Sequence, residues 1–135
     1  MGIFNFFEKE QREPEWISLM PEEYTTLFLS EIKGNPQANT LDEIKQGIGK
    51  YGFDKTNPIP VYGIPENEKY LSRLRTMRGE KLRWRRIRSL EVSNINKAID
   101  EYEIFNLLGD TITLLYISPY HLKTSNKAPD GFKLI

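Results

Sequence analysis

The chain has 135 residues, a length typical of one domain. Its 19 Lys and Arg residues balance its 19 Asp and Glu residues, which excludes a globally basic nucleic-acid-binding protein but not a local charged patch. The absence of cysteine and the presence of a single histidine exclude disulfide scaffolds, cysteine nucleophiles and multi-histidine zinc sites. No apolar run approaches the length of about 20 residues that spans a bilayer.

The charge is divided unequally along the chain. Residues 1–70 carry seven Lys/Arg against twelve Asp/Glu, and residues 71–135 carry twelve against seven. The basic excess is concentrated in residues 73–88, where eight Lys/Arg residues accompany one acid, Glu80. We expect much of this charge to be solvated or paired within one fold, because exposed ion pairs need no function.

Residues 1–15 are expected to form a flexible N-terminal segment that precedes a single domain over residues 16–135. The opening sequence, MGIFNFF, lacks the basic start and the apolar length of a secretory signal. The expected location is therefore the cytoplasm.

The first expected helix spans about residues 21–33. Pro21 suits the first helical position, and Glu22 and Glu23 suit the positive end of the helix dipole. The apolar side chains that recur at spacings of three and four, and that should face the core, are Tyr24, Leu27, Phe28 and Ile32.

Two further helices are expected. Thr40 and Glu43 have the spacing of a capping box and predict a helix that extends to about residue 51, although Gly47 and Gly49 each weaken it by about 1 kcal/mol. Pro65 begins another helix over about residues 65–77. Its apolar stripe, which should be buried, consists of Tyr70, Leu71, Leu74 and Met77.

The second half of the chain predicts strands. Residues 57–61 must be extended because residues that precede proline avoid the helical region, and they indicate an edge strand or a polyproline-like segment. Residues 82–92, 98–108 and 111–120 predict an antiparallel meander. The last of these strands is apolar on both sides, so we expect it to be central or covered on both faces.

Gly109 and Asp110 predict a two-residue turn between the last two strands. That register places Ile104 opposite Leu115 and Phe105 opposite Leu114. Residues 132–135 follow a Pro-Asp-Gly turn and are expected to pair or pack again. The elements together predict an α+β fold, with N-terminal helices packed on an antiparallel β-meander of three or more strands.

Residues 57–135 resemble a group of small bacterial proteins. The pattern is Asn-Pro-Ile-Pro-Val, a glycine, a Tyr-Leu-containing helix, an arginine-bearing strand, Tyr-His and Pro-(Asp/Glu)-Gly-Phe. Here it is carried by residues 57–61, Gly63, Tyr70-Leu71, Arg85-Arg86, Tyr120-His121 and residues 129–132. Residues 65–68 depart from it, since the group has a Gly-Glu pair there. The resemblance implies a bacterial domain and no particular activity.

The most unusual segment is KLRWRRIR, residues 81–88. Strand alternation divides its side chains between two faces, with Arg83 and Arg85 on one and Trp84, Arg86 and Arg88 on the other. Because neither face is cleanly apolar, a β-bulge near residues 86–87 is expected to redirect the side chains.

Two interpretations of this strand compete. Arginines interleaved with a tryptophan resemble a platform on which single-stranded nucleic acid or RNA stacks. In the interpretation that we favour, Glu101 and Glu103 on the next strand pair with some of the arginines, and Trp84 belongs to the core. An acidic protein partner would explain the strand as well as a nucleic acid would.

His121 follows Tyr120 at the end of the third strand of the meander. A lone histidine can act as a general base, but no serine lies in a nucleophile-elbow pattern and no acid has a fixed spacing to His121, so we favour a structural role. Glu101 and Glu103 superficially resemble a catalytic carboxylate pair, and pairing with arginines is again favoured. The common phosphate-loop, dinucleotide, zinc and calcium motifs are absent from the sequence.

The sequence therefore favours a non-enzymatic bacterial module that binds a protein partner, and we assign no catalytic, cofactor-binding or metal-binding residue. Nucleic-acid binding through the basic and aromatic strand is the second hypothesis, and an enzyme that uses His121 is the third. The candidate binding surface consists of Arg83, Trp84, Arg85, Arg86, Arg88, Tyr120 and His121.

Overall fold

A computed structural model describes residues 14–135, and three helices and six strands make up the regular structure of this part. The helices are α1 (Trp16–Leu19), α2 (Glu22–Lys33) and α3 (Pro65–Arg73). The strands are β1 (Ile59–Pro60), β2 (Leu74–Thr76), β3 (Arg83–Val92), β4 (Ile95–Phe105), β5 (Thr111–Ser118) and β6 (Phe132–Leu134). The flexible segment predicted at residues 1–15 lies outside the described residues, apart from its last two positions.

The main sheet has the strand order β1-β5-β4-β3. β3, β4 and β5 form the predicted antiparallel meander. β1 pairs with β5 in parallel, with Ile59 opposite Ile117, so the sheet is mixed. Of the two conformations predicted for residues 57–61, the structure has the edge strand, limited to Ile59–Pro60. The prediction that β5 is central is confirmed. A second sheet consists of β2 and β6, which confirms that the last residues pair again.

The larger hydrophobic core lies on one face of the main sheet. α3 contributes Tyr70 and Leu71, which pack with side chains from β4 and β5 such as Ile104, Leu115 and Ile117. A smaller cluster, which contains Ile44, Ile95 and Ile99, covers part of the opposite face. The strand period of two explains the division, because successive side chains of β4 alternate between the two clusters.

The helix predicted from Thr40 to residue 51 is wrong, since residues 41–57 form a series of turns. Gly49 and Gly52 have φ angles of 101° and 79°, in the left-handed region that glycine tolerates and a right-handed helix excludes. The side-chain amide of Asn57 donates to the carbonyl of Gly49 at 2.9 Å and holds the turn closed. The turn conformation is therefore favoured over the helix that the spacing of Thr40 and Glu43 predicts.

The predicted span of α2 is confirmed, but its predicted buried stripe is wrong. Tyr24 and Leu27 are 50% and 57% exposed, whereas Ile32 is buried. Near the C-terminal end of the helix, Glu31 lies 3.2 Å from Lys97 of β4.

α3 ends four residues earlier than predicted. Leu74 adopts an extended conformation and pairs with Leu134, so the chain leaves the helix to form β2. Met77, predicted to be buried, lies beyond β2 and is 65% exposed.

The β4–β5 hairpin has a longer loop than predicted, and its register is wrong by two residues. Leu115 lies opposite Tyr102, and Ile104 lies opposite Thr113. The loop is closed by the side-chain oxygen of Asn106, which accepts hydrogen bonds from the backbone N–H groups of Leu108 (3.0 Å) and Asp110 (2.9 Å). These hydrogen bonds stabilise a longer loop in place of the two-residue turn that Gly109 and Asp110 predict.

Candidate functional site

β3 forms one edge of the main sheet and contains the predicted bulge. Arg86 lies opposite Tyr102 and Arg88 lies opposite Glu101, so Ile87 is the extra residue of the bulge. Without the bulge, Arg85 and Arg88 would point to opposite faces. With it, both lie on the same face, which is the face that carries the glutamates of β4.

Two ion pairs cross from β3 to β4 on this face. Arg85 binds Glu103 at 2.6 Å, and Arg88 binds Glu101 at 3.1 Å. A hydrogen bond from the Thr111 hydroxyl, followed by the contact with Arg85, lowers the pKa of Glu103. The arginine side chains are 69% and 65% exposed, so these pairs hold the guanidinium groups in place while leaving much of their surface to solvent.

A third pair connects β3 to the core side of the sheet. Arg86 donates to Oδ1 of Asp100 at 2.9 Å, while the amide of Asn67 donates to the other carboxylate oxygen at 2.9 Å. Asp100 is 4% exposed and Asn67 is fully buried. Because both oxygens of Asp100 are occupied, this carboxylate serves the fold and is not free to accept a substrate proton.

Trp84 is partly buried and packs against the larger core. Its indole N–H donates to Glu68 of α3 at 2.9 Å. A base-stacking platform needs a ring with an open face, and an indole fixed at its N–H and packed on the core provides less of that surface. Arg83, one residue earlier, is exposed and has no carboxylate partner within residues 14–135.

Tyr120 lies beside the Asp100 pair. Its burial, and then the negative charges of Asp100 and Glu31, raise the pKa of Tyr120, which is therefore a neutral phenol at physiological pH. The backbone carbonyl of Tyr120 accepts a hydrogen bond from the Asn35 side chain at 2.8 Å. This contact connects the loop after α2 to the end of β5.

His121 is fully buried and does not share the surface of the arginines. Its Nε2 lies 2.9 Å from Oγ of Ser118, which is also fully buried. Burial lowers the pKa of His121 to about 4, so the ring is neutral at pH 7. A neutral histidine beside a serine is the chemical requirement for an activated nucleophile, but Nδ1 has no orienting partner among the described residues and neither side chain is accessible.

The described residues, 14–135, contain no group of three His, Asp or Glu side chains that is placed to hold a metal ion. Within the same range, no helix is long and apolar enough to cross a membrane.

Three residues that complete this site were not anticipated from the sequence, namely Asn67, Glu68 and Asp100. The two α3 residues are 33 and 16 positions away from their partners on β4 and β3. The available signal was the position of Asp100, which shares strand parity with the buried residues Tyr102 and Ile104 and would therefore need a partner in the core.

No protein family, curated protein or solved structure matches the chain. The functional argument therefore depends on the geometry of the molecule.

Proposed function

We propose that the chain is a non-enzymatic protein-interaction module that binds its partner through the outer face of the meander. The outer face is defined by Arg85, Arg88, Glu103, Ile112 and Leu114. The observation that carries the proposal is a row across three strands: Arg85 lies opposite Glu103, which lies opposite Leu114. This row combines a fixed guanidinium with an exposed aliphatic side chain.

The composition of the outer face supports a protein partner. Leu114, opposite Glu103, is 37% exposed. Ile112, two residues earlier, is the extra residue of a bulge in β5 and is 44% exposed. Arginine is enriched among the residues that dominate binding energy in protein interfaces, and the buried centre of an interface is apolar. The glutamates already restrict Arg85 and Arg88, so a partner has less side-chain entropy to remove when it binds them. The matching partner surface offers apolar contacts together with carbonyl or carboxylate acceptors.

Binding across the face is favoured over addition of a strand to β3. The edge of β3 carries arginines and the bulge at Ile87, and both features hinder pairing with another strand. The face is accessible without disturbing either feature.

The two other hypotheses receive less support. Nucleic-acid binding by the basic strand β3 would use Arg85, Arg86 and Arg88, and each of these arginines forms an ion pair with a carboxylate of β4. An enzyme centred on His121 would need access to a side chain that is fully buried.

We also propose that the protein is bacterial and cytoplasmic, in keeping with the resemblance of residues 57–135 to small bacterial proteins. We further propose that the N-terminal helices pack against the main sheet and its connecting loops. Two contacts support that packing: the ring of Trp16 closely covers Gly63, where an added Cβ would lie 2.6 Å from the ring, and Glu31 pairs with Lys97 of β4.

Site-specific photo-crosslinking in the native cell tests the proposal. A photoreactive side chain at Leu114 should give one defined protein adduct that survives nuclease treatment. The same group at Leu27, which is exposed on α2, is the matched control and should not give this adduct. With the identified partner, Leu114→Asp should weaken binding at least about tenfold because it removes an apolar contact and adds a charge. The proposal is wrong if Leu114 gives no adduct or gives the same adducts as Leu27.

A further inference from the structure

Two turns at one end of the molecule present large apolar side chains to solvent. The loop of residues 106–110 carries Leu107 and Leu108, which are 59% and 89% exposed. The turn after β2 carries Met77, which is 65% exposed. The hydrogen bonds of Asn106 give the first loop a defined shape, so its leucines are displayed by an ordered turn.

Both turns leave the sheets at the same end. Arg83, the first residue of β3, lies opposite Phe105, the last residue of β4, and the leucine loop follows directly. Lys81 is bridged to Arg75 of β2 and lies two residues before Arg83, so the chain enters β3 at its Arg83 end from the turn of residues 76–80. We call this region, with its two turns and the adjoining part of β6, the Arg83 end.

The Arg83 end has an excess of unpaired positive charge. Lys81 and Lys133 both pair with Arg75, so three cations lie side by side across neighbouring chain segments. Like charges in directly opposed positions destabilise a sheet. Arg78 and Arg83 add two exposed cations, and within residues 14–135 none of the five forms an ion pair with a carboxylate.

The acids of the Arg83 end do not cancel this charge. The Glu80 carboxylate accepts from the hydroxyl of Thr76 at 3.3 Å, and Asp110 accepts from the side-chain amide of Asn106 at 3.4 Å. With Asp130 before β6, three acids face five cations. The Arg75 guanidinium donates to the carbonyls of Ser72 (2.7 Å) and Leu74 (2.8 Å), so the fold uses this cation. The region therefore combines exposed apolar turn tips with four further cations that form no ion pair within residues 14–135.

We propose that the Arg83 end docks on an anionic lipid surface. Leu107 and Leu108 would insert at the boundary between headgroups and acyl chains, while the cations contact lipid phosphates. A protruding turn fits a planar bilayer surface, and the strength of such binding increases with the apolar area that is buried and with the electrostatic attraction to anionic lipids. A nucleic acid would use the cations but would leave two exposed leucines without a role. This surface adjoins the outer face of the meander but shares none of the residues that define it.

Sedimentation of the full chain with lipid vesicles tests the proposal. We expect binding to vesicles of phosphatidylglycerol and phosphatidylcholine, little binding to pure phosphatidylcholine, and weakening at high salt. The double variant Leu107→Ser/Leu108→Ser should lower the partition coefficient at least about tenfold, given the usual value of burying a leucine. Lys81→Gln/Arg83→Gln should lower it by about fivefold for each charge removed.

Matched controls keep the test specific to the Arg83 end. Leu27→Ser removes an exposed leucine elsewhere, and Lys55→Gln removes an exposed cation that forms no ion pair within residues 14–135, so both should bind the anionic vesicles like the unmodified chain. Circular dichroism and thermal unfolding verify that each variant is folded. Absence of preference for anionic vesicles would overturn the proposal, as would full binding by the leucine variant. Binding of a single-stranded oligothymidylate that requires Lys81 and Arg83, without vesicle binding, would assign the cations to nucleic acid and also overturn it.

Discussion

Arg85, Arg86 and Arg88, in the middle of β3, each bind a carboxylate of β4, whereas Arg83 at the start of the strand binds none within the described chain. The sequence presents these four arginines as one basic run. The difference comes from the partner strand, because β4 has acids at positions 100, 101 and 103 and then continues with Ile104 and Phe105.

The comparison shows that the position of carboxylates on the neighbouring strand decides which arginines of a basic strand are paired and which are not. The three paired arginines are part of the structure, and removing their partners should cost stability. Arg78, Lys81, Arg83 and Lys133 bind no carboxylate within residues 14–135, so their charges remain available for binding, whereas Arg75 donates to the carbonyls of Ser72 and Leu74. Three experiments separate charge that the fold uses from charge that it does not.

We expect the largest change in the free energy of unfolding on acidification, because acid protonates His121, which the fold keeps uncharged. The pKa of His121 is about 4 in the folded protein and about 6.5 for an ordinary histidine, so between these values the unfolded chain binds a proton that the folded chain does not. The free energy of unfolding should therefore fall by about 3 kcal/mol as the pH drops from 6.5 to 4. Urea denaturation at pH 7, 5.5 and 4.5 measures this change.

The control for the acid experiment is His121→Gln, provided that it folds by circular dichroism. Its loss of stability over the same pH range should be clearly smaller. An identical pH dependence in both proteins would assign the effect to carboxylates such as Glu103, whose pKa is lowered mainly by the hydrogen bond from Thr111, because a lowered pKa lets the unfolded chain bind protons first as the pH falls.

Asp100→Ala should have the next largest effect, a loss of about 2 kcal/mol. The substitution leaves the buried amide of Asn67 without its best acceptor and removes the partner of Arg86. Glu91→Ala, an exposed acid on β3, is the matched control and should change stability by less than about 0.5 kcal/mol. Equal losses in both variants would remove the distinction between structural and solvated acids.

The smallest expected effect compares two arginines of one strand directly. Arg88→Gln should cost about 0.5–1 kcal/mol because it deprives the buried Glu101 carboxylate of a partner, while Arg83→Gln should be neutral or slightly stabilising. The difference should shrink in high salt. A larger loss for Arg83→Gln would show that the Arg83 end is part of the structural network and would break the comparison. Urea denaturation at two salt concentrations measures both variants.

The sequence predicts the strands well because their signals are local. Proline positions predict an extended segment at residues 57–61, and apolar side chains on both faces predict the central place of β5. The bulge near residues 86–87 follows from the lack of a clean apolar face. Arg85 pairs with Glu103 and Arg88 pairs with Glu101, as expected from the interpretation in which the glutamates of the next strand pair with some of the arginines.

The failures have tertiary causes. The capping-box spacing of Thr40 and Glu43 competes with a turn that is held by Asn57, and the hairpin register is decided by the side chain of Asn106. The contact of Asn67 with Asp100 joins a helix to a strand across 33 positions, which no local period reveals. The periodicity of α2 is real, yet it does not show that Tyr24 and Leu27 are left uncovered.

The two small pairings at the margins of the fold have a consequence for how fast the chain can fold. Ile59 pairs with Ile117 and Leu74 pairs with Leu134, so each contact closes a loop of about 60 residues. The meander, by contrast, joins strands that are neighbours along the chain. Because distant pairings pay the entropy of loop closure before they gain contacts, topologies that contain them fold slowly. The folding rate of this protein should therefore respond more to the closing of β1 and β6 than to the strength of the arginine pairs.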